Sequence, residues 1–172
     1  MSLVSVNSNT HPEFVGIPAL IKRHADQVVQ FELWVTGSNW HAFHGNHYDW
    51  WAFPINKPSS HGFAYSVFGE EIAQMKEDES SMKRHRMGAD LLLLSWGWHS
   101  EFGQPIANPE SGQAWANWPI RLAKCAHSMW LFGQLKQFES CVAYAQYLQG
   151  SGTSFGYTGR DLFDEIVNPQ NY

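Results

Sequence analysis

The chain has 172 residues, 44% hydrophobic and 16% charged, with a formal net charge of −5 and a pI near 5.9. That length can bury a core as one domain, and the apolar fraction excludes a disordered, solvating chain. The acidic balance argues against a nucleic-acid binder, whose footprint is a basic excess.

Residues 1–12 are polar and read as loose. Met1–Thr10 lacks the basic start and apolar run of a secretory leader, and no apolar run approaches the ~20 residues of a membrane helix. Two cysteines make no disulfide framework, so the expected setting is a reducing cytoplasm. From Pro18 the apolar residues Leu20, Ile21, Val28, Phe31 and Trp34 recur at helical spacings until Gly37, which predicts a first helix. Ser38–Asn46 reads as a loop with a Gly45-Asn46 turn. Tyr48, Trp50, Trp51 and Phe53 form an aromatic knot whose short helix must stop before Pro54. Ile55–Tyr65 is a loop.

Phe68–Lys76 predicts the next helix, with Glu70 and Glu71 in its first turn and Ser66 available as a cap. Asp78 reads as the N-cap of a helix running to about Trp96, stopped at Gly97 and supported by a Glu79–Lys83 pair. Gly88 weakens its middle by ~1 kcal/mol. Leu91–Trp98 is apolar on all faces, so it is expected to form a central rod covered by the aromatic knot. His99–Ala116 is the longest loop, a length often tied to function. Asn117 reads as the cap of a helix ending at Gly133, with Pro119 in its first turn. Leu135–Leu148 predicts its antiparallel partner. Cys125 and Cys141 stand eight residues either side of Gly133, hence level across the pair as two reduced, buried thiols. A last short helix spans Gly159–Val167 and halts at Pro169. No segment sustains a period of two. The expected fold is all-α: a single compact domain of six or seven helices around a central apolar helix, with the antiparallel pair in the C-terminal half.

Four features bear on chemistry. His41, His44 and His47, with Asp49 nearby and His61 further on, have the side chains of a metal site and could converge from a loop. On a helix, residues six apart are rotated by about 240°, so the three would not share a face. Polar tips among packed rings is the competing reading, and it leads. The acids Glu70, Glu71, Glu77, Asp78 and Glu79 lie at helix starts beside lysines, a solvated surface rather than an acid–base pair. Lys83-Arg84-His85-Arg86 reads as a solvated helix face. The surplus of nine tryptophans suggests that some rings line a groove, with Trp40, Phe43, Trp50, Trp98, Trp115 and Trp118 as its candidates.

The stretch Tyr48-Asp49-Trp50-Trp51-Ala52-Phe53-Pro54-Ile55 resembles the pattern tyrosine, variable, glutamine, tryptophan, leucine, phenylalanine, proline, leucine of the opioid growth factor receptor conserved region and its microbial relatives. Trp50 stands in place of glutamine and Ala52 in place of leucine. Glu70-Glu71-Ile72, Asp78, the Lys83–Arg86 run, Leu91–Trp98 and the pair from Trp118 to Leu148 are similar in order, over about 100 residues. The resemblance implies an all-helical fold; opioid peptide binding does not carry over residue by residue.

The expected function is a non-catalytic helical module that binds a peptide, a protein partner or a small apolar ligand through an aromatic groove, without a cofactor. The alternative is a small metal-dependent enzyme built on His41, His44 and His47.

Overall fold

The computed structural model describes residues 7–172. The loose segment expected at 1–12 therefore falls partly, over 1–6, outside the described residues. Its remainder is pinned down: the Asn9 side chain donates to the Phe63 and Ser66 carbonyls at 2.9 Å each. The Asn9 backbone N–H donates to Glu71 Oε1 at 2.9 Å.

Eight α-helices are present among the described residues. They are α1 Ile17–Thr36, α2 Trp40–Gly45, α3 Asp49–Ala52, α4 Gly69–Lys76, α5 Glu79–Ser95, α6 Pro119–Leu131, α7 Leu135–Gly150 and α8 Leu162–Val167. The count exceeds six or seven because Ser38–Asn46 is not a plain loop. The Asn39 side chain accepts the Ala42 N–H at 3.2 Å and starts α2, whose Trp40 and Phe43, three apart, are buried together. Two antiparallel hairpins of two-residue strands were also unforeseen. β1 Trp98–His99 pairs with β2 Gln104–Pro105, and β3 Gly156–Tyr157 with β4 Arg160–Asp161. Both are shorter than a period-two pattern can register.

Several caps differ from expectation. Asp78 accepts the Ser81 N–H and caps α5 as its sequence indicates. Ser66 instead donates to the Lys57 carbonyl, and α4 opens with Phe68 N–H donating to the Glu71 carboxylate at 2.9 Å. Glu71 is thus buried, serving two backbone donors, and is no part of a solvated acidic face. Asn117 takes a left-handed φ of 59° one residue before the Trp118 N-cap of α6. Asp161, two residues past the start expected for the last helix, caps α8.

The larger buried cluster joins α1, α2, α3, α5, α6, α7 and α8 through residues such as Phe31, Phe43, Phe53, Leu92, Met129 and Leu162. A smaller one gathers Leu20, Val67, Met75, Met82 and Phe132. In α5, Leu92 and Leu93 enter the core, as does Trp96 just after it, while Leu91 and Leu94 stay half-exposed. The all-round apolarity of this helix thus has a second cause: one of its sides is a cleft wall. In the helical pair α6–α7 the two cysteine sulfurs lie 3.8 Å apart, fully buried and unbonded.

Candidate functional site

The cleft lies between the second half of α5, the β1–β2 hairpin and the start of α7. Its volume is about 510 Å³, within the range of ligand sites. Leu91, Leu94 and Trp98 supply the apolar wall, and Asp90, His99, Ser100, Glu101, Lys136 and Gln137 the polar one. Trp98 is fixed from behind: its indole N–H donates to Ser140 Oγ at 3.1 Å, and its ring packs 5.0 Å from Tyr144. Asp90 Oδ1 accepts from Ser100 Oγ at 2.6 Å and from Gln137 Nε2 at 3.4 Å, which ties the hairpin and α7 to α5.

Other polar groups of the cleft are free. His99 carries a buried Nδ1 with no hydrogen-bond partner among the described residues. Three ion pairs form among the described residues, and neither Glu101 nor Lys136 belongs to one. Phe102, at the hairpin tip, lies 4.4 Å from the His99 ring and is 66% exposed. Leu135, next to Lys136, and Tyr147, 5.4 Å from Trp98, are further large apolar side chains open to solvent. An apolar wall, unpaired charges of both signs and a fringe of exposed rings therefore meet on one face.

The six aromatic candidates do not form one groove. Trp40 and Phe43 are core residues, because α2 turns both inward. Trp98 is almost wholly covered and forms the cleft wall. Trp115 is half-buried against Trp96 and Tyr144. Trp118 is half-exposed, donates to the His44 carbonyl at 3.1 Å and meets the edge of His47. Trp50 lines a different, narrower groove with Lys57 and Lys124. Sequence spacing identifies large rings but not which sides of short helices face inward.

The histidines of the first motif separate as well. His41 and His47 are exposed, and His44 bonds the Gly112 carbonyl at 2.9 Å through Nε2. No three His, Cys, Asp or Glu side chains gather at metal-binding distance among the described residues. Arg121 of α6 secures this segment instead. It donates to Asp49 Oδ1 at 2.7 Å, to the Asn46 carbonyl at 2.8 Å and to the His44 carbonyl at 3.3 Å. Its guanidinium lies between the Tyr48 and Trp118 rings, 4.3 Å from each centroid.

His85, read as part of a solvated basic face, is buried beside His24, and its Nε2 meets Ser128 Oγ at 2.9 Å. Burial holds both imidazoles neutral: His24 is lowered to about 4, with the Arg84 charge adding to the effect, and His85 falls well below its usual range.

Asp90, His99, Ser100 and Lys136 carry no motif that marks them in the sequence. The available signal was Asp90 directly preceding an all-round apolar run, followed by the Trp98-His99 pair at the start of the longest loop. In comparisons with family models, with curated proteins and with solved structures, nothing matches the chain.

Proposed function

We propose that this chain is a non-catalytic helical binding module whose ligand is a peptide seated in the Trp98 cleft. One observation carries the reading: the apolar wall of Leu91, Leu94 and Trp98 is ringed by unpaired Glu101 and Lys136 and by exposed Phe102. Small-molecule sites bury most of their ligand. This cleft is open, and its exposed apolar fringe extends beyond it, which suits an extended chain carrying apolar and charged side chains. The same proposal treats the Leu91–Trp98 segment as the central element, with core on one side and recognition surface on the other. The opioid growth factor receptor-like order of motifs around Tyr48–Ile55 supports a shared helical scaffold and adds nothing about the ligand.

Display selection of peptides on the purified protein, followed by titration of the enriched sequences, tests the reading. Leu91→Arg places a charge on the cleft wall and should weaken the selected peptides by tenfold or more (about 1.4 kcal/mol). Trp50→Ala, in the other groove, should leave them unchanged. Peptides indifferent to Leu91→Arg, or a selection that enriches nothing, would reject the cleft as a peptide site.

A further inference from the structure

Between α3 and α6 runs a second groove, formed by two small cavities of about 20 and 80 Å³ that share Ile55, Lys57, Pro58 and Lys124. Trp50 and Phe53 give the smaller cavity an apolar side and Ile120 and Ala123 the larger, while Ser59 and Ser66 line the first and His127, Arg160 and Glu165 the second. At the shared wall stands Lys124, half-buried, its ammonium 5.4 Å from the Trp50 ring centre. It has no ion-pair or hydrogen-bond partner among the described residues.

The neighbouring polar groups already have partners. Asp49 is held by Arg121 at 2.7 Å. Arg160 is bound through both arms by Glu165, at 2.6 and 2.9 Å. Lys57 donates to the Tyr172 backbone oxygen at 3.4 Å, and His127 meets Asn56 Oδ1 at 3.1 Å. Lys124 is thus the groove cation with no polar partner among the described residues, and Lys57 beside it has a backbone contact but no counter-charge.

We propose that this groove binds the carboxylate of a small apolar acid, with Lys124 as counter-charge and Ile120 and Ala123, in the larger compartment, as the wall against which the acid's apolar body packs. The chemistry selects this class. A half-buried ammonium without a partner is costly, and an anion removes the cost. A phosphate would call for an arginine fork or several donors, and the one fork beside the groove is closed by Glu165. A cavity of about 10–15 Å³ holds one water, so the larger compartment has room for roughly five to eight non-hydrogen atoms and the smaller for one or two, enough for a small acid and less than a peptide needs. Burial presses the Lys124 amine below the ordinary lysine range, Arg160 and Arg121 press it further, and Asp49 alone opposes them.

Calorimetric titration with benzoate and hexanoate, against benzamide and inorganic phosphate, tests this. Both acids should bind saturably at millimolar concentration, and the neutral amide should not. Lys124→Met keeps the stem and removes the charge, so it should weaken benzoate by roughly tenfold or more. Lys83→Met, an exposed lysine of α5 outside both sites, should leave benzoate binding unchanged. A second readout uses the unaltered protein: in lysine-labelled NMR spectra the Lys124 side-chain titration should move to higher pH when benzoate is present. Absence of saturation, equal binding of benzamide, tighter binding of phosphate, or a Lys124 titration that benzoate leaves in place would each overturn the assignment.

Discussion

Arg121 and Asp49, 72 residues apart in sequence, form a buried ion pair at 2.7 Å, the arginine with no exposed surface at all. Every polar donation of this guanidinium goes to the segment from His44 to Asp49. Arg121 therefore fastens α2 and α3 to α6. Asp49→Ala strands the buried charge, so a loss of about 3–5 kcal/mol is expected in urea denaturation. Replacing both residues with apolar ones of similar volume should cost much less. A double variant as unstable as Asp49→Ala would show that the carbonyl contacts of Arg121, not the ion pair, hold the segment.

Acid should weaken the fold before the carboxylates titrate. His24 is neutral in the fold with its pKa lowered to about 4, chiefly by burial, while in the unfolded chain it protonates near 6.5. Between these values the unfolded state binds more protons, so stability rises with pH. The contribution is whole above about pH 6.5, declines as the pH falls toward 4 and is flat below that. For His24 it amounts to about 3 kcal/mol. His85 acts in the same direction, and His127, also lowered to about 4 by burial and Lys57, adds to it. Denaturation midpoints measured from pH 7.5 to 4.5 should fall steadily, and His24→Leu should flatten the slope. An unchanged slope in that variant would place the proton uptake elsewhere.

The aromatic knot divides in a way the sequence pattern does not separate. Phe53 is fully buried against α1 and α5, near Phe31 and Gly88. Trp51 is half-exposed at the edge: its indole N–H donates to Gln27 Oε1 at 2.9 Å, and Arg23 lies 3.8 Å above its ring. Phe53→Ala should therefore cost about 3–5 kcal/mol. Trp51→Ala, which from the motif alone would be expected to cost as much, should cost about 1–2 kcal/mol for a partly buried ring. Thermal melts of the two variants give the order directly, and a reversal would put Trp51 beneath α5 after all.

The same distinction marks what was legible beforehand. Long helices announce themselves by repetition: α1, α5, α6 and α7 each carry three or more turns of apolar spacing, and Gly37, Gly97 and Gly133 follow closely where each of the first three stops. Short elements do not. Six residues from Trp40 to Gly45 give too few turns to reveal a period, and their glycine and histidines suggested a loop. The two-residue strands are set by tertiary pairing and leave no pattern. The cleft was half-legible. Trp98 and the long loop behind it were marked, but Asp90 and Lys136 meet there only because α5 and α7 pack side by side, and charge on a helix surface gives no sign of that. Glu71 shows the converse case, an acid in a helix's first turn that is buried because a distant segment, Asn9, needs its oxygen.

Gly88 is the point in α5 where one added carbon should help. A Cβ there would meet Phe53, Val28 and Phe31 at 3.8–3.9 Å, ordinary packing distance. Alanine also favours a helix interior over glycine by about 1 kcal/mol, so Gly88→Ala should raise the melting midpoint. Gly97 is its opposite: φ is 82° and the Gln113 carbonyl lies 3.0 Å from where a Cβ would sit. Gly97→Ala should lower the midpoint, because the left-handed backbone would be strained and the Gln113 segment would have to shift. Equal effects of the two would mean that α5 does not stop at this turn.

Cys125 and Cys141 test the packing of the helical pair. Their sulfurs lie 3.8 Å apart, fully buried, on facing sides of α6 and α7. Burial and the neighbouring sulfur push the Cys125 thiol well above its usual range, so the nucleophilic thiolate is scarce at neutral pH. Native protein should therefore resist a thiol reagent, and two equivalents should react once the chain is unfolded. If labelling of the native state requires global opening, its rate should track stability. Destabilising Phe53→Ala should then speed it, and Gly88→Ala should slow it. Should one thiol react quickly in the native protein while the other stays protected, α6 and α7 would be separating locally, and the buried pair would not report on the whole fold.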